Sequence, residues 1–192
     1  MVSLYHSEQA TPCPDLFNLT AYVLNAGDKI PQKTALEIID TDGSVETWTF
    51  QALTQAIRGT ATGLLSLGLK PQDRILMRLG NTIDFPITFL AALSVGLIPL
   101  PSPAQWTQKE GDHAVSLISP AAILLDHELA GPSQYDGQII GQATLATLRD
   151  MAPCDYDQGD PNRLAYIVFT SGTSGQPRAV MHAHRAIWAR RM

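Results

Sequence analysis

The first 70 residues show two hydrophobic periods, one typical of strands and one typical of a helix. Residues 34–40 and 45–48 are strand-like, and Asp42-Gly43 between them is a pair typical of hairpin turns. Apolar residues over 50–67 recur every three or four positions, which predicts a helix with one buried face. A shorter helix is predicted over residues 16–25.

From residue 71 onwards, short apolar strands alternate with helices. The predicted strands cover 74–79, 98–100, 121–125 and 139–140, and the predicted helices cover 82–95, 109–118 and 143–149. Strands separated by single helices pair in parallel, because each crossover returns the chain to the same edge of the sheet. The chain is therefore predicted to be an α/β fold with a mainly parallel sheet and flanking helices.

A fully apolar strand, predicted over 165–169, runs directly into a segment of glycines and hydroxyls. That segment comprises Thr170, Ser171, Gly172, Thr173, Ser174 and Gly175, and Arg178 follows shortly after. Glycine lets backbone N–H groups approach an anion closely, and hydroxyls add donors. Arg178 contributes a charged fork that suits phosphate oxygens, and ligands of α/β sheets favour the carboxyl ends of strands. We therefore predict a phosphate-binding loop. A plain polar turn between two strands is the alternative.

The spacing differs from that of the ATPase P-loop. Two residues separate Gly172 from Gly175, whereas the P-loop has four between its glycines and then Lys followed by Ser or Thr.

Composition argues against a disordered chain and against a nucleic-acid-binding protein. Of the 192 residues, 45% are hydrophobic and 16% charged, a balance that favours a buried core over disorder. The formal net charge is -5, so no basic surface for nucleic acid is expected. The apolar stretch over 85–101 contains three prolines and a glycine, and is interpreted as a buried helix and strand instead of a membrane span.

Potential metal ligands are sparse. His182 and His184 could act as a pair, but no third ligand stands at a suitable spacing, so no metal site is predicted. Cys13 and Cys154 match no metal motif either, and a reduced, cytoplasmic chain is the expectation.

Two parts of the chain resemble the adenylate-forming enzymes, which include acyl- and aryl-CoA synthetases and the adenylation domains of peptide synthetases. Residues 170–180 are similar to the family signature T-S-G-[ST]-[ST]-G-x-P-K-G-V, and residues 68–126 resemble the run that precedes it. Arg178 and Ala179 depart from this pattern, since the family usually has Lys and Gly there. The resemblance therefore implies a phosphate contact of altered geometry.

The resemblance implies a fold, a reaction and cofactors. Residues 1–192 would form the N-terminal part of the large domain, with its remainder, the small C-terminal domain and the catalytic lysine outside this sequence. The parent would use ATP and Mg²⁺ to convert a small carboxylic acid into an acyl-adenylate, and then transfer the acyl group to coenzyme A. The loop over 170–178 would hold the β- and γ-phosphates, and His184 would lie near the acyl pocket.

Several expectations follow for the chain by itself. No catalytic residue is assigned within it, so the isolated chain is expected to be inactive, and its exposed apolar faces favour self-association. Two alternatives stay open: an adenylation domain that loads a carrier-protein thiol, and a stand-alone binding module without catalysis.

Overall fold

The computed structural model describes residues 11–171 and 177–189. The helices are α1 (Leu19–Leu24), α2 (Phe50–Ser66), α3 (Asp84–Ser94), α4 (Gln108–Ile118), α5 (Gln142–Leu148) and α6 (Ala186–Ala189), with a 3-10 helix over Asn25–Lys29. The strands are β1 (Thr34–Ile39), β2 (Val45–Thr49), β3 (Arg74–Arg78), β4 (Ile98–Pro101), β5 (Ala122–Leu125), β6 (Gln138–Gly141), β7 (Leu164–Ser171) and β8 (Pro177–Ala183).

A four-stranded parallel sheet forms the centre of the fold, as predicted. Its strand order is β4-β3-β5-β6, so that β3 is bonded to a neighbour on each side. Side chains alternate across the sheet: Ile75 and Met77 pack on the face covered by α2, α3 and α5, and Leu76 packs on the other face with Ile118 of α4 and Ile167 of β7. Strands β3, β4 and β5 are thus buried on both faces, which explains why they are mostly apolar, whereas the edge strand β6 is partly exposed.

Two antiparallel hairpins accompany the parallel sheet. Strands β1 and β2 pair across the predicted turn, where Gly43 has a φ of 84°, a conformation that glycine adopts without strain. Strands β7 and β8 pair with each other. The glycine- and hydroxyl-rich segment therefore connects two antiparallel strands of a hairpin.

Side-chain caps mark the amino ends of α1, α2 and α4. Thr49 caps α2 and accepts a hydrogen bond from the N–H of Ala52. The first helix, however, begins at Leu19 and not at residue 16, because Asn18 caps it through the N–H groups of Thr20 and Ala21. The Asn18 amide also donates to the carbonyls of Leu93, Ser94 and Asp157, all distant in sequence. These tertiary partners decide where α1 starts.

Among the described residues, no helix combines the length and hydropathy needed to cross a membrane.

Candidate functional site

The β7–β8 hairpin places two predicted phosphate-binding residues opposite each other. Thr170 pairs in register with Arg178, and Ser171 pairs with Pro177. Thr170 and Arg178 are both exposed, and the Thr170 hydroxyl donates to the Arg178 carbonyl at 3.5 Å. The remaining predicted residues, Gly172, Thr173, Ser174 and Gly175, lie outside the described residues.

The carboxyl end of β7 lies at the carboxyl edge of the parallel sheet. Near its start, Ala165 packs with Leu93, close to the end of α3. Near its end, the Phe169 ring contacts the Trp106 ring, with centroids 4.9 Å apart, and Trp106 follows the carboxyl end of β4. Strand β7, which packs alongside β4, therefore runs in the same direction as β4. A ligand held between Thr170 and Arg178 would sit at the edge that α/β sheets commonly use for binding.

Arg178 offers an available positive charge at this edge. Its side chain forms no ion pair with an acid among the residues that the structure describes. An exposed guanidinium of this kind can form bidentate, charge-assisted hydrogen bonds with phosphate oxygens.

Arg78, which sequence analysis did not single out, lies buried at the same edge. Its Nε donates to the carbonyl of Ala130 at 2.9 Å, and its second amino group, Nη2, donates to the carbonyl of Trp106 at 3.4 Å. Burial lowers the pKa of Arg78, and the nearby charge of Glu110 opposes that shift. The available signal was an arginine within the apolar run over 75–79, because a buried charge is costly unless it is hydrogen-bonded.

Asp126 organises the segment that follows β5. Its carboxylate, itself buried, accepts hydrogen bonds from the N–H groups of Gly80 at 3.2 Å and Glu128 at 3.1 Å. It therefore joins the chain that leaves β5 to the chain that leaves β3. The segments at the carboxyl edge are thus held by Arg78, which donates to backbone carbonyls, and by Asp126, which accepts from backbone N–H groups.

His184 is fully buried behind the hairpin. Its ring Nδ1 accepts a hydrogen bond from the backbone N–H of Leu19 at 3.1 Å, and its backbone N–H donates to the carbonyl of Arg163. Burial, reinforced by the charge of Arg163, lowers the pKa of His184 to about 4, so the ring is neutral near pH 7. Its role near an acyl pocket stays a prediction.

The two histidines of the His-x-His pair have different surroundings. The His182 ring stacks on Tyr166, with centroids 4.7 Å apart, whereas His184 contacts α1. Within residues 11–171 and 177–189, no group of three His, Cys, Asp or Glu side chains is arranged to hold a metal ion.

Comparison with known proteins identifies the family. The family model described as AMP-binding enzyme matches residues 24–192 of this chain. The chain belongs to the AMP-binding enzyme family. This confirms the resemblance to adenylate-forming enzymes.

Relatives in the AMP-binding family include two kinds of adenylating enzyme. The chain is 31% identical over 165 residues to phosphinothricin tripeptide synthetase PhsC of Streptomyces viridochromogenes. The matched region covers 82% of this chain and 14% of PhsC. It is 26% identical over 166 residues to the uncharacterized acyl-CoA ligase YtcI of Bacillus subtilis. That matched region covers 80% of this chain and 31% of YtcI. The chain therefore spans less than a third of the length of either relative.

Solved structures confirm the fold of the AMP-binding family. A benzoate CoA ligase from Burkholderia xenovorans matches with a TM-score of 0.78 at 23% identity, over 91% of this chain and 36% of that one. The McyG A-PCP protein complexed with phenylalanyl-adenylate matches with a TM-score of 0.77 at 22% identity, over 94% of this chain and 30% of that one.

Proposed function

We propose that this chain is the N-terminal part of the large domain of an acid–thiol ligase. The full protein uses ATP to convert a carboxylic acid into an acyl-adenylate, and then transfers the acyl group to coenzyme A. Membership of the AMP-binding family supports the adenylating step. Similarity to an acyl-CoA ligase of Bacillus subtilis and to the fold of a benzoate CoA ligase supports the choice of coenzyme A. A cytoplasmic location, where both co-substrates occur, is part of this proposal.

The observation that carries the proposal is the pairing of Thr170 with Arg178 at the carboxyl edge of the sheet. Both side chains are exposed and on neighbouring strands, so a phosphate group can contact the hydroxyl and the guanidinium together. We propose that the segment over 170–178 holds the β- and γ-phosphates of ATP. Its hydroxyls orient the triphosphate, and Arg178 offsets its charge.

The proposed first step is an in-line displacement. A carboxylate oxygen of the acid forms a bond to the α-phosphorus, while the bond from that phosphorus to the pyrophosphate oxygen breaks. Pyrophosphate leaves with the bonding electron pair, and its negative charge increases as it does so. Arg178 stabilises that charge without covalent chemistry, by position and electrostatics.

The described residues provide no cluster that would bind Mg²⁺ by themselves. Magnesium in nucleotide enzymes is bound largely by phosphate oxygens and water, with one or two carboxylates. No protein ligand for magnesium is therefore assigned among the described residues.

A second candidate function is the loading of a carrier-protein thiol. PhsC, a peptide synthetase by its name, is 31% identical to this chain over 165 residues, a higher identity than that of YtcI. In this alternative the adenylate forms in the same way, but the acceptor is a protein-bound thiol.

Exchange of labelled pyrophosphate into ATP tests the adenylating step. We expect the full-length protein to show exchange that depends on an added carboxylic acid, and the 192-residue chain alone to show none. Absence of exchange from the full-length protein across a panel of aliphatic and aromatic acids would contradict the proposal and favour the binding module. Exchange by the isolated chain would contradict its proposed inactivity.

The acceptor is then decided by thioester formation. We expect the full-length protein to form acyl-CoA from the acid that supports exchange. Acylation of a phosphopantetheinyl carrier protein, with no acyl-CoA formed, would establish the carrier-loading alternative.

A further inference from the structure

Arg78 lies between the segments that follow the two strands flanking β3. Ala130 follows β5 and Trp106 follows β4, and the Arg78 guanidinium donates to the carbonyls of both. The side chain is 2% exposed. One buried cation therefore holds together two loops that the parallel sheet alone does not connect.

This arrangement depends on the shape of arginine. A guanidinium presents several N–H groups in a planar fork, so it can donate in two directions at once, whereas a lysine ammonium is a single point charge. Arg78 makes no ion pair within the described parts of the chain; burial lowers its pKa, and the charge of Glu110 opposes that shift. Of its two hydrogen bonds, the one from Nη2 ties the Trp106 segment to the end of β3, and the one from Nε ties the Ala130 segment to the same point.

Trp106 connects the Arg78 contact to the candidate phosphate site. Its ring meets Phe169 edge-on, at an interplanar angle of 70°. Phe169 directly precedes Thr170 and pairs with Ala179, the neighbour of Arg178. A shift of the Trp106 ring would therefore displace the strand positions that carry Thr170 and Arg178.

We propose that Arg78 is a positioning residue for the β7–β8 hairpin. It holds the Trp106 backbone, the Trp106 ring sets the place of Phe169, and Phe169 sets the spacing at which Thr170 and Arg178 meet a phosphate. The structural part of this proposal concerns contacts alone. Its kinetic part rests on the proposed function.

Indole N–H resonances of the 192-residue chain test the structural part. The chain has three tryptophans, Trp48, Trp106 and Trp188, so each signal can be assigned by single replacement with phenylalanine. In the Arg78→Gln variant we expect the Trp106 signal to shift while the other two stay in place. Arg78→Lys should shift it less. The matched control is Arg74→Gln, at the exposed amino end of the same strand, which should leave all three signals unchanged.

Two results would overturn the structural part. A Trp106 signal that stays in place in Arg78→Gln, with the other two also unchanged, would show that Arg78 does not hold this segment. Collapse of all three signals would show that Arg78 supports the whole fold and is not specific to the hairpin.

ATP kinetics of the full-length protein test the second part. Arg78→Gln and Trp106→Leu should each raise the KM for ATP about tenfold, because small misplacements of binding groups are costly. The KM for the acid should change little. Since the two residues act through one contact chain, the double variant should be no worse than either single one.

Equal increases in both KM values, or additive effects in the double variant, would overturn the kinetic part. Absence of adenylation in the unmodified full-length protein would refute the proposed function instead, and the tryptophan signals would still decide the contact between Arg78 and Trp106.

Discussion

His184 and Leu19 are joined by a hydrogen bond across 165 residues of sequence, with the Leu19 N–H donating to the His184 Nδ1 at 3.1 Å. The bond connects the chain after β8 to the first turn of α1. Because Nδ1 is the acceptor, the neutral ring carries its proton on Nε2. Protonation of Nδ1 would remove the acceptor and place a charge in the core.

The stability of the chain should therefore fall in mild acid. The pKa of His184 is lowered to about 4 in the folded state, against 6.5 for an ordinary histidine. Between these pH values the unfolded state binds a proton that the folded state does not, so the contribution of His184 is full above pH 6.5 and is lost as the pH falls toward 4. We expect the free energy of unfolding to decrease by roughly 1 kcal/mol per pH unit in this range.

Urea denaturation at several pH values measures this effect. His184→Gln removes the titrating group and should flatten the dependence between pH 6.5 and 4. The control is His113→Gln on α4, which should keep the dependence of the unmodified chain. An equally steep dependence in His184→Gln would assign the effect to other groups.

Arg178 should govern the use of ATP by the full-length protein. Charge-assisted hydrogen bonds to phosphate are worth about 1.5–3 kcal/mol. Arg178→Ala should therefore slow adenylation about 10- to 100-fold at subsaturating ATP. Arg178→Lys should keep most of the rate, since lysine retains the positive charge and stands at this place in the signature that residues 170–180 resemble. Rates are measured by pyrophosphate exchange against ATP concentration.

The control for this series is Arg74→Ala, which removes an exposed arginine from the amino end of β3. It should not change the rate. If Arg178→Ala matched the unmodified protein at every ATP concentration, Arg178 would have no role with phosphate, and the segment would be a plain polar turn.

The ion pair between Asp84 and Arg149 should stabilise the folded chain. They form an ion pair that joins the start of α3 to the end of α5, and both side chains are mostly buried. Loss of one partner leaves the other charge poorly solvated. Asp84→Ala should therefore cost about 2–3 kcal/mol, between the values for surface and buried pairs.

A double-mutant cycle measured by chemical denaturation provides the check. The variant with Asp84→Ala and Arg149→Ala should be much less destabilised than the sum of the single variants. Strict additivity would mean that the pair contributes nothing.

Gly59 should not tolerate a side chain. It lies within α2, where alanine usually stabilises a helix by about 1 kcal/mol relative to glycine. A Cβ at this position would lie 2.5 Å from the carbonyl oxygen of Arg149 and 2.8 Å from that of Met151. Since both are backbone atoms, Gly59→Ala should destabilise the chain by about 2–3 kcal/mol.

Gly141→Ala is the matched control, because a Cβ there would meet nothing within 4 Å. Its thermal unfolding midpoint should stay near that of the unmodified chain. A Gly59→Ala variant as stable as this control would show that α2 and the chain after α5 can move apart without cost.

The isolated chain should self-associate. Met181 on β8 is 72% exposed, and Ile139 on β6 is 51% exposed at the edge of the parallel sheet. Exposed edges of this kind favour pairing between chains. Sedimentation velocity should show species larger than the monomer, and Ile139→Lys should reduce them. A monomer at high concentration would contradict this prediction.

Local pattern was sufficient to predict the parallel part of the fold. Strands such as β3 and β5 are short apolar runs between helices, and their period, length and breakers all indicate the same element. The pairing of β7 with β8 was not deduced, because an apolar strand such as β7 has no pattern that distinguishes a parallel from an antiparallel partner.

Local pattern was also sufficient for only part of the candidate site. Thr170 and Arg178 belong to one short segment, so composition alone brought them together. The roles proposed for Arg78 and Trp106 depend on contacts with residues far along the chain, which no local pattern encodes. His184 was noted, but its bond to Leu19 spans nearly the whole sequence.

Because β7 and β8 pair only with each other among the described strands, their hairpin should unfold locally more easily than the parallel sheet. Within the described residues, the backbone of this hairpin bonds to itself, while β3 is bonded on both sides inside the parallel sheet. The hairpin can thus separate from β4 by losing side-chain contacts alone. Amide hydrogens of β8 should exchange with solvent through such local openings, and those of β3 through global unfolding. Nucleotide binding would then register as slower exchange in β8, with β3 as an internal reference.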